Sequence, residues 1–147
     1  MISWQESQEE VRRIKPDMQM ASAILRMIEV RMKALEELKN KPEFVSLVVE
    51  DYYEILKEAI TALMAIDGYK TLSHEVLIAY LKEFYPQFSD AEIGLADQLR
   101  QTRNKIAYKG FFVAPEFVER NDAKMRELVI KITNLLERKA GEVRLVR

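Results

Sequence analysis

Two arginines, an asparagine, two lysines and a tyrosine crowd the stretch RQTRNKIAYKG, residues 100 to 110. Arg100 and Arg103 each offer a planar fork of N–H donors that matches a phosphate or carboxylate. Asn104 adds an amide, Lys105 a point charge, and Tyr108 a phenol that donates a hydrogen bond or stacks on a base. The set is suited to holding a nucleotide or an RNA strand. Cleaving RNA through its 2′-hydroxyl asks for more, because a group must take and give protons near neutral pH. Histidine does this with a reference pKa of about 6.5, whereas tyrosine, at about 10, stays protonated. The single histidine, His74, stands elsewhere in the chain, directly after Ser73. It is expected as a first-turn residue bonded to a neighbouring helix, with displaced catalytic base as the alternative role beside Arg103 and Tyr108.

These residues need helices to position them. Apolar residues recur at helical spacing from Ala21 through Ile28 to Leu38, and again from Val45 through Tyr52 and Leu63 to Ile66, where Gly68 closes the run. Ser73 can cap a short third helix that stops before Pro86. Ser89 with Glu92 forms a capping box for a fourth, over about Asp90 to Lys109, ended by Gly110. Pro115 suits the first turn of a last helix ending before Gly141. No run shows strand alternation flanked by hairpin signals. The chain therefore reads as all-α, an antiparallel up-down bundle of four to five helices. It forms one domain over 1–147, with a core at about 17–140, an N-terminal helical extension over 1–16 and a tail over 141–147 that is mobile or packed by a partner. Trp4 could anchor the extension.

Composition narrows the function. Apolar residues make up 48% and charged residues 32% of 147, against a charged share of about 25% in ordinary domains, which points to well-charged helix surfaces. Lys and Arg number 23 and Asp and Glu 24, so the net charge is −1. No global field draws the protein onto nucleic acid or an anionic membrane, and any such binding is local. With no cysteine and one histidine, a thiolate or histidine-rich metal site has no ligands and none is expected, nor any cofactor. No run of about 18 apolar residues and no apolar leader occurs, so no membrane association is expected and the cytoplasm is the default location. Asp51, Glu54 and Glu58 read as the wet face of the second helix. Met18, Met20, Met27, Met32 and the Phe111-Phe112 pair read as core or dimer contacts.

The segment DYYEILKEAITALMAIDGYKTLSHEVLIAYLKEFY, followed by LADQLRQTRNKIAYKG, resembles the HEPN superfamily of prokaryotic helical-bundle proteins over roughly residues 17 to 140. The likeness rests on the helix ending in DGYK, on Ser73-His74 at the start of the next, and on the pattern Arg103-Asn104-x-Ile106-x-Tyr108. It implies association with metal-independent RNA cleavage in toxin-antitoxin and defence systems, carried out by dimers, often beside a minimal nucleotidyltransferase. Carried over, Arg103 is the motif arginine and Asn104 its polar neighbour. The motif histidine is replaced by Tyr108, which puts catalysis in doubt and leaves a neutral hydrogen-bonding and packing group at the mouth of the cleft.

The expected function is a dimeric HEPN-type interaction module that binds a nucleotide, RNA or a nucleotidyltransferase-like partner through Arg100, Arg103, Asn104, Lys105 and Tyr108. Ribonuclease activity is expected to be weak or absent. The alternatives are a metal-independent endoribonuclease using Arg103 with Tyr108 or His74, and a purely structural helical adaptor. On a straight helix Arg103 and Tyr108 point about 140° apart. Arginine reach, a bent helix end or a second subunit could bring them together, and the second subunit is the expected route. Sedimentation equilibrium at micromolar concentration should accordingly return the mass of a homodimer. A monomer would remove that route.

Overall fold

The computed structural model describes the backbone of residues 1–146 and the side chains of residues 1–141. Five α-helices carry the fold: α1 Met18–Leu38, α2 Val45–Asp67, α3 His74–Phe84, α4 Asp90–Lys109 and α5 Pro115–Val146. Two three-residue strands, β1 Val11–Arg13 and β2 Tyr69–Thr71, pair antiparallel. The chain is an all-α helical bundle with this small ladder at its side.

Helix α2 is the centre. Fourteen of its 23 residues are buried, from Val45 to Ile66, so its apolar surface runs almost all the way round and neighbours must cover it on several sides. Partners along its length fix their directions. Asp17 donates its backbone N–H to Ala65 O, and Arg31 pairs with Glu58 at 2.9 Å, so α1 runs antiparallel to α2. Tyr52 bonds Asp122 at 2.6 Å and Asp67 bonds Lys139 at 2.9 Å, so α5 runs the same way as α2. His74 lies against Tyr53, and Tyr80 against Asp67, so α3 also runs with α2.

Two consecutive helices can share a direction because β2 runs back between them. Gly68 makes the reversal at φ 88°, and its position leaves no room for a side chain: a Cβ would stand 3.1 Å from Ile14 O. Such a backbone conformation favours glycine. Ile14 in turn donates to Gly68 O at 2.9 Å, which leads into the β1–β2 ladder. Helix α4 then returns antiparallel to α5, with Glu92 and Lys131 paired at 2.9 Å.

The expected signals mark the helix ends. The Ser73 side chain accepts from Val76 N, and Ser89 with Glu92 forms the full capping box. Gly68 and Gly110 stop α2 and α4 in the left-handed region. Three expectations need correcting. The helices do not alternate up and down throughout, because the β2 return sets α3 running with α2. The N-terminal extension is a 3₁₀ turn, Gln5–Glu10, followed by strand β1, because residues 11 to 13 find β2 as a pairing edge that their own sequence does not reveal. Helix α5 does not end before Gly141 but continues to Val146, since a lone glycine costs only about 1 kcal/mol inside a helix. The expectation of a mobile or partner-packed tail falls on side chains outside the described residues.

Trp4 docks on the chain's own bundle, its ring within 5.2–5.6 Å of the Phe84, Tyr69 and Tyr80 rings. Beneath this aromatic cluster, Asp67 at the end of α2 accepts from the Tyr80 hydroxyl, the Tyr85 hydroxyl at 2.8 Å and Lys139 Nζ at 2.9 Å. Burial by itself would raise the Asp67 pKa, but those three hydrogen bonds outweigh it and hold the carboxyl below its ordinary value. Asp67→Asn is expected to lower the unfolding free energy by about 2 kcal/mol in urea titration, since one charge-assisted acceptor is lost. A depressed folded pKa contributes stability above the ordinary aspartate value. The gap between wild type and variant should therefore close as pH falls through the folded pKa.

Candidate functional site

The second half of α4 lies over α2 beside the start of α3, and this seam is where the residues singled out above meet. Only Ile93, Ala96 and Leu99 of α4 are buried, so the helix rests on a narrow apolar stripe with polar side chains on its shoulders. Arg100 lies on one shoulder. Its Nε donates to Asp97 Oδ1 at 2.9 Å, while Gln101 donates to Asp97 Oδ2 at 2.7 Å. Arg103 reaches down to α2, its Nη2 3.6 Å from Glu54 Oε1, and Glu54 is already held by Lys57 at 2.7 Å. Arg103 is thus the loosely paired cation of the seam, and its Nε is buried with no hydrogen-bond partner.

Tyr53 lies beneath. Its ring is 5.8 Å from the His74 ring, and its hydroxyl is buried without a partner. Burial, the largest influence, raises the Tyr53 pKa; Arg100 and Arg103 oppose this and Glu54 and Asp97 reinforce it. His74 is shifted down, first by burial and then by the charges of Lys57, Arg103 and Arg100, with Glu54 acting the other way. At neutral pH it is therefore a neutral imidazole with one donor and one acceptor nitrogen. The seam gathers Lys57, Arg100 and Arg103 against Glu54 and Asp97, and leaves two buried N–H and O–H groups without an acceptor. Buried polar groups are ordinarily hydrogen-bonded, so such a pair calls for an explanation.

Tyr108 stands apart from this interior. It is 76% exposed, and no hydrogen bond holds its hydroxyl within the described residues. The expected packing role at the helix end is therefore wrong, and the reason is direction: at helical spacing Tyr108 points about 180° from the buried Leu99, while Ile106 keeps to the core side. Arg103 nonetheless meets it within the same chain, its Cζ 5.9 Å from the ring centroid. Arginine reach spans the angle between them, so no second subunit is needed. Asn104 is half-buried and makes no hydrogen bond among the described residues, and Lys105 is exposed with Nζ 5.9 Å from the Phe111 ring.

His74 does open the first turn of α3, but it makes no hydrogen bond to a neighbouring helix among the described residues; its ring lies against Tyr53 of α2, and it shares a charge cluster with Arg103. Tyr53 was missed as a site residue. Sequence gives no way to separate it from Tyr52, whose hydroxyl finds Asp122. Glu54 and Glu58 are ion-paired rather than freely solvated. Of the methionines read as packing residues, Met27 is 48% exposed, and Phe112 is 83% exposed and outside the core. Cavities of about 480 Å³ and about 440 Å³ lie elsewhere, one between α4 and α5 near Gln98 and Lys124, the other where β2 meets α1 and α2. Among the described residues no group of three or more metal-ligating side chains is arranged to hold an ion. No helix among them is long and apolar enough to cross a membrane.

Comparison with protein-family models, with curated proteins and with solved structures finds no match for this chain.

Removing an orphaned buried hydroxyl relieves a desolvation penalty without breaking a bond. Tyr53→Phe should consequently leave the ligand-free protein as stable as wild type or more stable by up to about 1 kcal/mol, read from urea midpoints. A clear loss would mean that the hydroxyl has a partner after all.

Proposed function

We propose that this chain is an HEPN-type interaction module that holds the phosphate of a nucleotide or RNA strand at the α2–α3–α4 seam, with ribonuclease activity weak or absent. In this reading it works as a homodimer or beside a nucleotidyltransferase-like partner. The observation that carries it is the pair of orphaned donors, Tyr53 Oη and Arg103 Nε. Both lack an acceptor; Tyr53 lies near Arg100 and Arg103, and Lys57 joins those two cations around the neighbouring His74. A phosphate oxygen supplies acceptor capacity and negative charge together. The Tyr108 ring beside the Arg103 guanidinium adds a face for a base.

The seam also supports a second reading. His74 lies close enough to Arg103 and Arg100 for both to depress its pKa, so a histidine and the motif arginine converge from different helices. In that case His74 accepts the 2′-hydroxyl proton, the 2′-oxygen bonds to phosphorus, Arg103 stabilises the phosphorane, and the P–O5′ bond breaks with a proton from water on the 5′-oxygen, leaving a 2′,3′-cyclic phosphate without a metal.

One set of samples separates the two readings. Mixed-sequence RNA, labelled at one end, is titrated with protein by fluorescence anisotropy and also incubated with protein in chelator. The binding reading expects saturable binding that weakens about tenfold or more in Arg103→Ala, together with intact RNA. Cleavage in chelator that is lost in both Arg103→Ala and His74→Ala would transfer the assignment to the nuclease. If neither RNA nor nucleotide binds, the structural adaptor is left.

A further inference from the structure

We propose that the end of α4 and the loop after it form a stacking platform for unpaired, single-stranded RNA. This rests on the nucleic-acid-binding reading above and names its substrate class. Three aromatic side chains stand open in five residues: Tyr108 at 76%, Phe111 at 45% and Phe112 at 83% exposure. Large exposed rings grouped this way are unusual on a monomer surface and mark contact sites. Their setting identifies the partner. Between Asp97 and Glu116 the chain carries Arg100, Arg103, Lys105 and Lys109 and no carboxylate, in a protein whose net charge is −1. Lys105 and Lys109 have no ion pair among the described residues, and Lys105 and Arg103 lie against the Phe111 and Tyr108 rings. Rings interleaved with free cations match a strand of bases linked by phosphates; an apolar protein surface would leave those cations facing nothing.

The rings are also held in place. Gly110 ends α4 at φ 62°, and Phe111 N donates to Lys105 O at 3.2 Å. Val113, buried to 7% exposure, donates its backbone N–H to Ser46 Oγ at 2.9 Å and pins the far side of the loop to α2. Phe111 and Phe112 are thus displayed between two anchors rather than folded into the core. Stacking needs the free face of an unpaired base, which a duplex hides, so the platform selects single strands.

The test uses the full chain and two labelled RNA probes at one salt concentration: an unstructured oligouridylate of about 12 nucleotides and a perfectly paired duplex of the same length. The oligouridylate should bind about tenfold or more tightly than the duplex. Phe112→Ala and Tyr108→Ala should each weaken oligouridylate binding about fivefold or more and leave duplex binding unchanged. Both positions are exposed, so circular dichroism should confirm that the variants fold. Tyr108→Trp should retain affinity and have its added indole fluorescence quenched on binding, the signature of a base on the ring. Equal affinity for strand and duplex, or oligouridylate binding lost in Arg103→Ala but intact in Phe112→Ala, would overturn the platform while leaving the phosphate-binding module standing. Absence of RNA binding, with Phe112→Ala shifting the protein from dimer to monomer, would overturn both and make the rings a contact between copies of this chain.

Discussion

The burial of α2 is the constraint on which the rest of the structure depends. A helix with apolar side chains almost all round cannot stand at a surface, and α1, α3, α4 and α5 each cover part of it. Its polar residues then have to be accommodated where those neighbours leave gaps. Glu58 takes Arg31 from α1, Tyr52 takes Asp122 from α5, and Glu54 takes Lys57 with Arg103 of α4 at longer range. Asp67 is the extreme case. A carboxylate at a helix C-terminus faces the negative end of the dipole, and it is tolerated because two tyrosines from α3 and its C-cap and a lysine from α5 converge on it. The same convergence ties α3 and α5 to the end of α2.

The seam at the other end of α2 follows the same rule with a different result. Tyr53 is as deeply placed as Tyr52, yet α4 supplies cations above it where α5 supplies a carboxylate above Tyr52. Both nearby acids are already engaged, Asp97 by Arg100 and Gln101, Glu54 by Lys57. What is left over is donors. Unpaired donors at one end of a central helix and a saturated acceptor at the other are two outcomes of covering one buried surface, and the proposed ligand site rests on the first.

Much of the fold was legible because local chemistry and global packing agree. Ser73, Ser89 with Glu92, Gly68 and Gly110 place helix ends through interactions confined to a few residues, and each does so in the structure. The β1–β2 ladder was not legible, since Val11–Arg13 becomes extended only through a partner more than fifty residues away. That ladder accompanies the return that lets α3 run with α2. The site was half legible. Residue types marked Arg100, Arg103 and His74, but the role of Tyr53 depends on which neighbouring helix carries acids and which carries bases, and no spacing along α2 encodes that. Tyr108 misled for a different reason, because its spacing from the buried Leu99 already sets it on the outer face of α4.

Proton inventory at the seam bears on catalysis as well as on binding. Strand cleavage through a 2′-hydroxyl needs one group to accept that proton and another to give one to the departing 5′-oxygen. His74, shifted down by burial and by three cations, is neutral at physiological pH and can accept but has little protonated form to donate. Tyr53, shifted up by burial, is a poorer acid than free tyrosine. The seam thus has one base and no matched acid. That asymmetry supports a site that binds a phosphate more readily than it breaks one.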